Sequence, residues 1–169
     1  MNFSLEIGPK TDLKTLPALK DVYITMLPGG DYKETAEQAK NLVQKGYNPI
    51  PHFPARSIEN EAQLKEYISM CRDGGTKQVL VIGGSREPIG KFDSSIQVLE
   101  TGYFEDMKIG IAGHPEGSPD ISDSDLEKAM IDKKPYADYI VTQWLLDPQP
   151  IIDFISKQSV PVHVGITGP

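Results

Sequence analysis

Short apolar, largely β-branched runs recur along the chain at residues 3–7, 22–26, 49–53, 78–82, 108–112, 139–143 and 161–165. Several are apolar on both faces, as in Val79-Leu80-Val81-Ile82 and Ile109-Gly110-Ile111-Ala112. A strand without a polar face belongs in a parallel sheet covered by helices. Most of the runs are followed by a segment with helical periodicity. In 31–45, Ala36, Ala39, Leu42 and Val43 fall on one face, and Gly46 follows as a stop signal. Segment 57–72 offers Ser57 as N-cap, acids in the first turn and Leu64, Ile68 and Cys71 on one side. A full capping box counted from Ser57 would need Glu or Gln at Asn60, so none is predicted there. Segment 122–134 opens Ser-Asp-Ser-Asp and closes on Lys133 and Lys134, and 147–158 opens on Asp147-Pro148.

Alternating strands and helices predict an α/β fold with right-handed crossovers. No linker or composition break interrupts it, so residues 1–169 are read as one domain. The middle strands are spaced by about thirty residues, near the ~250/8 of a (β/α)₈ TIM barrel. A doubly wound open sheet has the same local pattern. Seven βα units can be counted. A complete barrel of ~250 residues exceeds this chain of 169, so the C-terminal part of the barrel is expected to be missing, with a longer parent protein as the first explanation.

Composition removes several classes. With 38% hydrophobic and 24% charged residues the chain is too apolar for disorder. No stretch of about 18 apolar residues predicts a membrane span, and no basic-then-apolar N-terminal segment predicts secretion. A single cysteine, Cys71, excludes an internal disulfide framework and fits a reducing, cytoplasmic compartment. Three histidines scattered along the chain give no metal-ligand spacing. A net charge of −7 makes nucleic acid an unsuitable partner.

Candidate chemistry lies in where the polar residues fall. Glu6 sits inside the first apolar run. Thr25 and His52 come near the ends of the second and third. Gly83-Gly84-Ser85 follows the fourth, Gly113-His114-Pro115-Glu116-Gly117 the fifth, and Gln143 closes the sixth. Taken singly, each has an ordinary explanation: a solvent-facing acid, strand propensity, a structural histidine, a tight turn. Together they fall at one end of their strands, the end where parallel barrels bind ligands. The spacing G-x-G-x-x-G of a dinucleotide fold is absent.

These residues resemble a known family. Ser4-Leu5-Glu6-Ile7-Gly8-Pro9-Lys10 resembles the "FEFFPPK" strand of methylenetetrahydrofolate reductases, and Val22-Tyr23-Ile24-Thr25 resembles "VSVTYG". Pro51-His52, with Arg56 nearby, resembles "PHLTCR", and Val81-Ile82-Gly83-Gly84-Ser85 resembles "LRGD". The segment Ile109-Gly110-Ile111-Ala112-Gly113-His114-Pro115-Glu116-Gly117 resembles "GVAGYPEGHPE", the most specific match, and Ile140-Val141-Thr142-Gln143 with Asp147 resembles "ITQFFFD".

The resemblance implies a barrel that holds FAD at the strand C-termini and reduces 5,10-methylenetetrahydrofolate to 5-methyltetrahydrofolate with NADH or NADPH, in one-carbon and methionine metabolism. Glu6 would be the general acid that helps open the folate's five-membered ring, and a reduced flavin would deliver hydride to the exposed methylene. Gln143 would bind the pterin, and Thr25, His52, Gly84, Ser85, His114 and Glu116 would line the flavin. The resemblance also implies a homo-oligomer, while the expectation of no membrane partner comes from the lack of an apolar span. Departures are visible. Ser85 stands where the family usually has aspartate, Gly83 replaces a frequent arginine, and Ser118 replaces a histidine. Asp132 falls where a cofactor-binding lysine is common, with Lys128 and Lys133 as possible substitutes. Two alternatives follow from these departures: a folate-binding relative without stable FAD, and a non-catalytic half-barrel that binds a partner.

Overall fold

The computed structural model describes residues 3–119 and 121–167. The chain divides into two compact units, Met1–Lys108 and Ile109–Pro169. Among the described residues, no helix is long and apolar enough to cross a membrane.

The first unit carries β1 (Ser4–Ile7), β2 (Asp21–Ile24), β3 (Asn48–Pro54) and β4 (Gln78–Ile82). Each is parallel to the next, in chain order. Helix α1 (Tyr32–Gln44) connects β2 to β3, and α2 (Glu61–Asp73) connects β3 to β4. A short α3 (Ser95–Leu99), absent from the sequence reading, follows β4. Helix α1 starts at Asp31, whose carboxylate accepts from the Lys33 N–H at 2.8 Å. Such a cap satisfies one of the amides that a helix start leaves unpaired. The α1 face bearing Ala39 and Leu42 packs on Ile7, Val22 and Ile24. Further along the unit, Phe53 is fully buried, stacked on Tyr67 of α2 at 4.0 Å and edge-on to Phe104 at 5.1 Å.

The start of α2 differs from expectation. Ser57 is not its N-cap: it is buried in a 3₁₀ turn, Ala55–Ser57, closed by the Ile58 N–H donating to the Ala55 carbonyl at 3.0 Å. Asn60 caps instead, accepting from the Gln63 N–H at 3.0 Å, while the Gln63 side chain accepts from the Glu59 N–H at 2.7 Å. This is a reciprocal pairing of capping-box type, three residues beyond Ser57.

The second unit holds β5 (Lys108–Gly113), β6 (Tyr139–Trp144) and β7 (Val162–Gly165), again parallel and in chain order. Helix α4 (Asp123–Lys133) is capped by Ser122 and has Asp123 and Asp125 in its first turn. Helix α5 (Gln149–Ser156) begins later than expected. Pro148 occupies its N-cap position, and Asp147 holds the entry by accepting from the Gln149 N–H at 3.0 Å. Gly110 pairs in register with Tyr139, whose ring crosses so closely that a Cβ at 110 would lie 2.4 Å from it. Tyr139 in turn stacks on His163 at 4.7 Å.

Two substitutions test this packing by urea unfolding. Phe53→Ala should cost about 3–5 kcal/mol, the usual loss for emptying a buried phenylalanine site. Gly110→Ala should cost about 1–3 kcal/mol through overpacking against the Tyr139 ring.

Candidate active site

Side chains alternate between the two faces of a strand, and partners in a parallel pair share a face. In the first unit, Ile7, Val22 and Ile24 point at α1. The opposite face therefore carries Glu6 on β1 and Tyr23 on β2, which are register partners, with Ile50 next to Tyr23 on β3. His52, two residues beyond Ile50, shares that face. The Tyr23 and His52 rings meet edge-on at 6.1 Å. At the N-terminal end of the same face, Asp21 accepts hydrogen bonds from Asn48 at 3.0 Å and Gln78 at 3.5 Å.

Three titratable groups thus lie in sequence across three strands. Glu6 is open to solvent as a whole residue, yet the surrounding sheet desolvates its carboxyl enough to raise its pKa above the ordinary glutamate value. Tyr23 and His52 are each 5% exposed. The phenol of Tyr23 is pushed upward by burial and, secondarily, by the charges of Asp21 and Glu6. Burial lowers His52 to about 4, so it is a neutral imidazole at pH 7. Its Nε2 is buried and has no hydrogen-bond partner. An unpaired buried nitrogen is costly, and a ligand atom would satisfy it.

The other residues named from the sequence are distributed as follows. Thr25 is half-buried just beyond β2, and its N–H donates to the Ile7 carbonyl at 2.9 Å, continuing the β1–β2 ladder. Gly84 adopts φ +93°, where a side chain would be strained, and a Cβ there would crowd Pro54 at 3.3 Å. At Gly83 a Cβ would meet nothing within 4 Å, and its carbonyl accepts from the Arg56 N–H at 3.0 Å. Ser85 is exposed. Arg56 is committed through Nε to the Asp93 carbonyl at 2.8 Å.

In the second unit, His114 Nδ1 and Glu116 Oε1 lie 3.0 Å apart. Their turn closes with the Gly117 N–H on the His114 carbonyl at 3.1 Å. Gln143 is exposed near the end of β6. Its carboxamide oxygen accepts from the Trp144 N–H at 3.1 Å, leaving the amide nitrogen to donate. The lysines considered as cofactor cations are engaged elsewhere. Lys128 pairs with Asp132 at 2.5 Å, and Lys133 is buried with Nζ donating to the Ala112 carbonyl at 3.1 Å.

Sequence reasoning placed Thr25 at the ligand-binding end of its strand but passed over Tyr23. The signal was available: residues two apart in a strand share a face.

Against solved structures, the chain resembles a putative phosphonomutase from Burkholderia cenocepacia J2315, with a TM-score of 0.65 and 13% identity over 99% of this chain and 79% of that one. At that identity the likeness speaks for the fold alone. With its seven parallel strands and alternating helices, the fold is of the (β/α)₈-barrel type expected from the sequence. Among curated proteins, methylenetetrahydrofolate reductase 1 of Schizosaccharomyces pombe is 24% identical over 166 residues, covering 86% of this chain. The chain spans about a quarter of that relative's length (27%). No protein-family profile matches.

The neutral His52 sets a pH signature. Its folded pKa of about 4 lies below the ordinary 6.5, so the unfolded chain takes up the proton first as pH falls. Stability should decline between pH 6.5 and 4 by up to about 3 kcal/mol and level off below. Glu6, raised on folding, contributes in the opposite sense, losing stability as pH rises through its folded value. Denaturant titrations across this range should show the acid-side decline, and His52→Gln should flatten it.

Proposed function

We propose that this chain forms the proton-donating, folate-binding part of an enzyme that reduces 5,10-methylenetetrahydrofolate to 5-methyltetrahydrofolate. The observation that carries this reading is the carboxyl of Glu6, raised by desolvation on the sheet face opposite α1. The sequence similarity to a methylenetetrahydrofolate reductase supports it. A carboxylic acid donates efficiently near neutral pH only if its surroundings hold the proton that far up the pH scale. Glu6 would give this proton to a bridge nitrogen of the folate, so that the five-membered ring opens. In the second unit, Gln143 keeps its amide nitrogen available to donate to a ligand.

The residues of the first unit fit a flavin ring. His52 offers a buried, unpaired Nε2, and the backbone at Gly83 is uncovered by side chains. Thr25, His52, Gly84 and Ser85 would hold that ring. Bound FAD would supply hydride chemistry, with NADH or NADPH as the source of reducing equivalents. The phosphates of FAD are less well served, because Lys128 and Lys133 are both engaged. That observation favours a second reading, a folate-binding relative that does not retain FAD stably.

Glu6→Gln in the full-length protein should cut folate-dependent NAD(P)H oxidation ~100-fold or more while the fold stays intact, the usual scale for a lost general acid. Unchanged turnover would remove Glu6 from the chemistry. A flavin absorbance spectrum of the purified protein separates the two readings: retained flavin supports the first, and a colourless protein that cannot be reconstituted supports the second.

A further inference from the structure

Tyr23 is absent from the site as the sequence presents it. In the "VSVTYG" strand that 22–25 resembles, serine stands at this position, so the ring is a feature of this chain. Tyr23 is the register partner of Glu6 and lies on the same face. Its ring is buried and abuts the His52 imidazole edge-on, so it is braced from β3.

We propose that Tyr23 is a positioning residue for Glu6: its ring, held against His52, covers the β2 side of the carboxyl and shuts water out from that flank. This deepens the reading of Glu6 as proton donor and rests on it. A hydroxymethyl group in place of the phenol ring would leave the neighbouring strand position open, and the carboxyl would be solvated from two sides. The raised acid and the raised phenol, each responding to burial, agree with one shared low-dielectric patch.

The titratable groups facing this patch in the first unit are few. Asp21 precedes Tyr23 by two residues on β2 and is held by Asn48. His52 on β3 is uncharged at neutral pH. Lys10, beyond the end of β1, is paired with Glu34 of α1 at 2.9 Å. Desolvation is what raises the Glu6 carboxyl, so coverage by the sheet is what distinguishes it from an ordinary exposed glutamate.

The test is a carbon-13 NMR titration of the Glu6 carboxyl in the full chain, in wild type, Tyr23→Phe and Tyr23→Ser. The ring accounts for the cover, so Tyr23→Phe should keep the elevated midpoint and Tyr23→Ser should move it down toward the ordinary glutamate range. A midpoint unchanged in Tyr23→Ser, or lowered equally by Tyr23→Phe, overturns the proposal.

Should Tyr23→Ser fail to fold, the wild-type protein still decides. The Tyr23 ring protons should shift with the Glu6 midpoint, and this shift should vanish in Glu6→Gln. Ring signals indifferent to Glu6 overturn the proposal. The readout does not depend on turnover, so it is separable from the functional reading. A Tyr23-dependent midpoint with full activity in Glu6→Gln keeps the positioning and removes the catalysis. The converse result removes only the positioning.

Discussion

Parallel register is the constraint from which the rest follows. Once Ile7, Val22 and Ile24 are buried beneath α1, alternation leaves no choice for the residues between them. Glu6 and Tyr23 must face the other way, side by side, because their Cα atoms are partners across β1 and β2. A slip of β1 by one residue would put an acid under a helix and turn Ile7 away from it. The apolar side of the sheet therefore fixes the polar side, and the stability of the first unit and the placement of its acid have the same cause.

That arrangement gives three titratable groups distinct characters without any ion pair between them. Glu6 is partly desolvated and holds its proton more tightly than a free glutamate. Tyr23 is buried deeply enough to stay a neutral phenol. His52 is buried deeply enough to stay a neutral imidazole, with one nitrogen left unpaired. A site of this kind can offer a carboxyl, a phenol and an imidazole nitrogen to a planar ligand. The unpaired nitrogen is an energetic cost that the folded chain bears, as functional sites often do.

Much of this was legible in the sequence. Residues 78–82 were bounded as a strand and form β4 with the same limits, because a continuous apolar run between polar turns has little other outcome. All seven strand runs appear as strands. What the pattern concealed were matters of direction. Ser57 has the chemistry of a cap, but the chain turns once more before the helix starts, and Asn60 takes the role. Lys133 reads as a helix-end cation that could substitute for a cofactor-binding lysine, yet its Nζ donates to the Ala112 carbonyl. Nothing in the sequence sets Tyr23 apart until its partner across the sheet is known. Register and side-chain direction depend on packing between distant segments, and no local pattern encodes them.

The most direct measurement is a crystal structure of the full-length protein with 5-methyltetrahydrofolate bound. The account predicts the pterin over the sheet face opposite α1, with a ring nitrogen within hydrogen-bonding distance of the Glu6 carboxyl. A folate seated elsewhere, with Glu6 turned to bulk water, would contradict it.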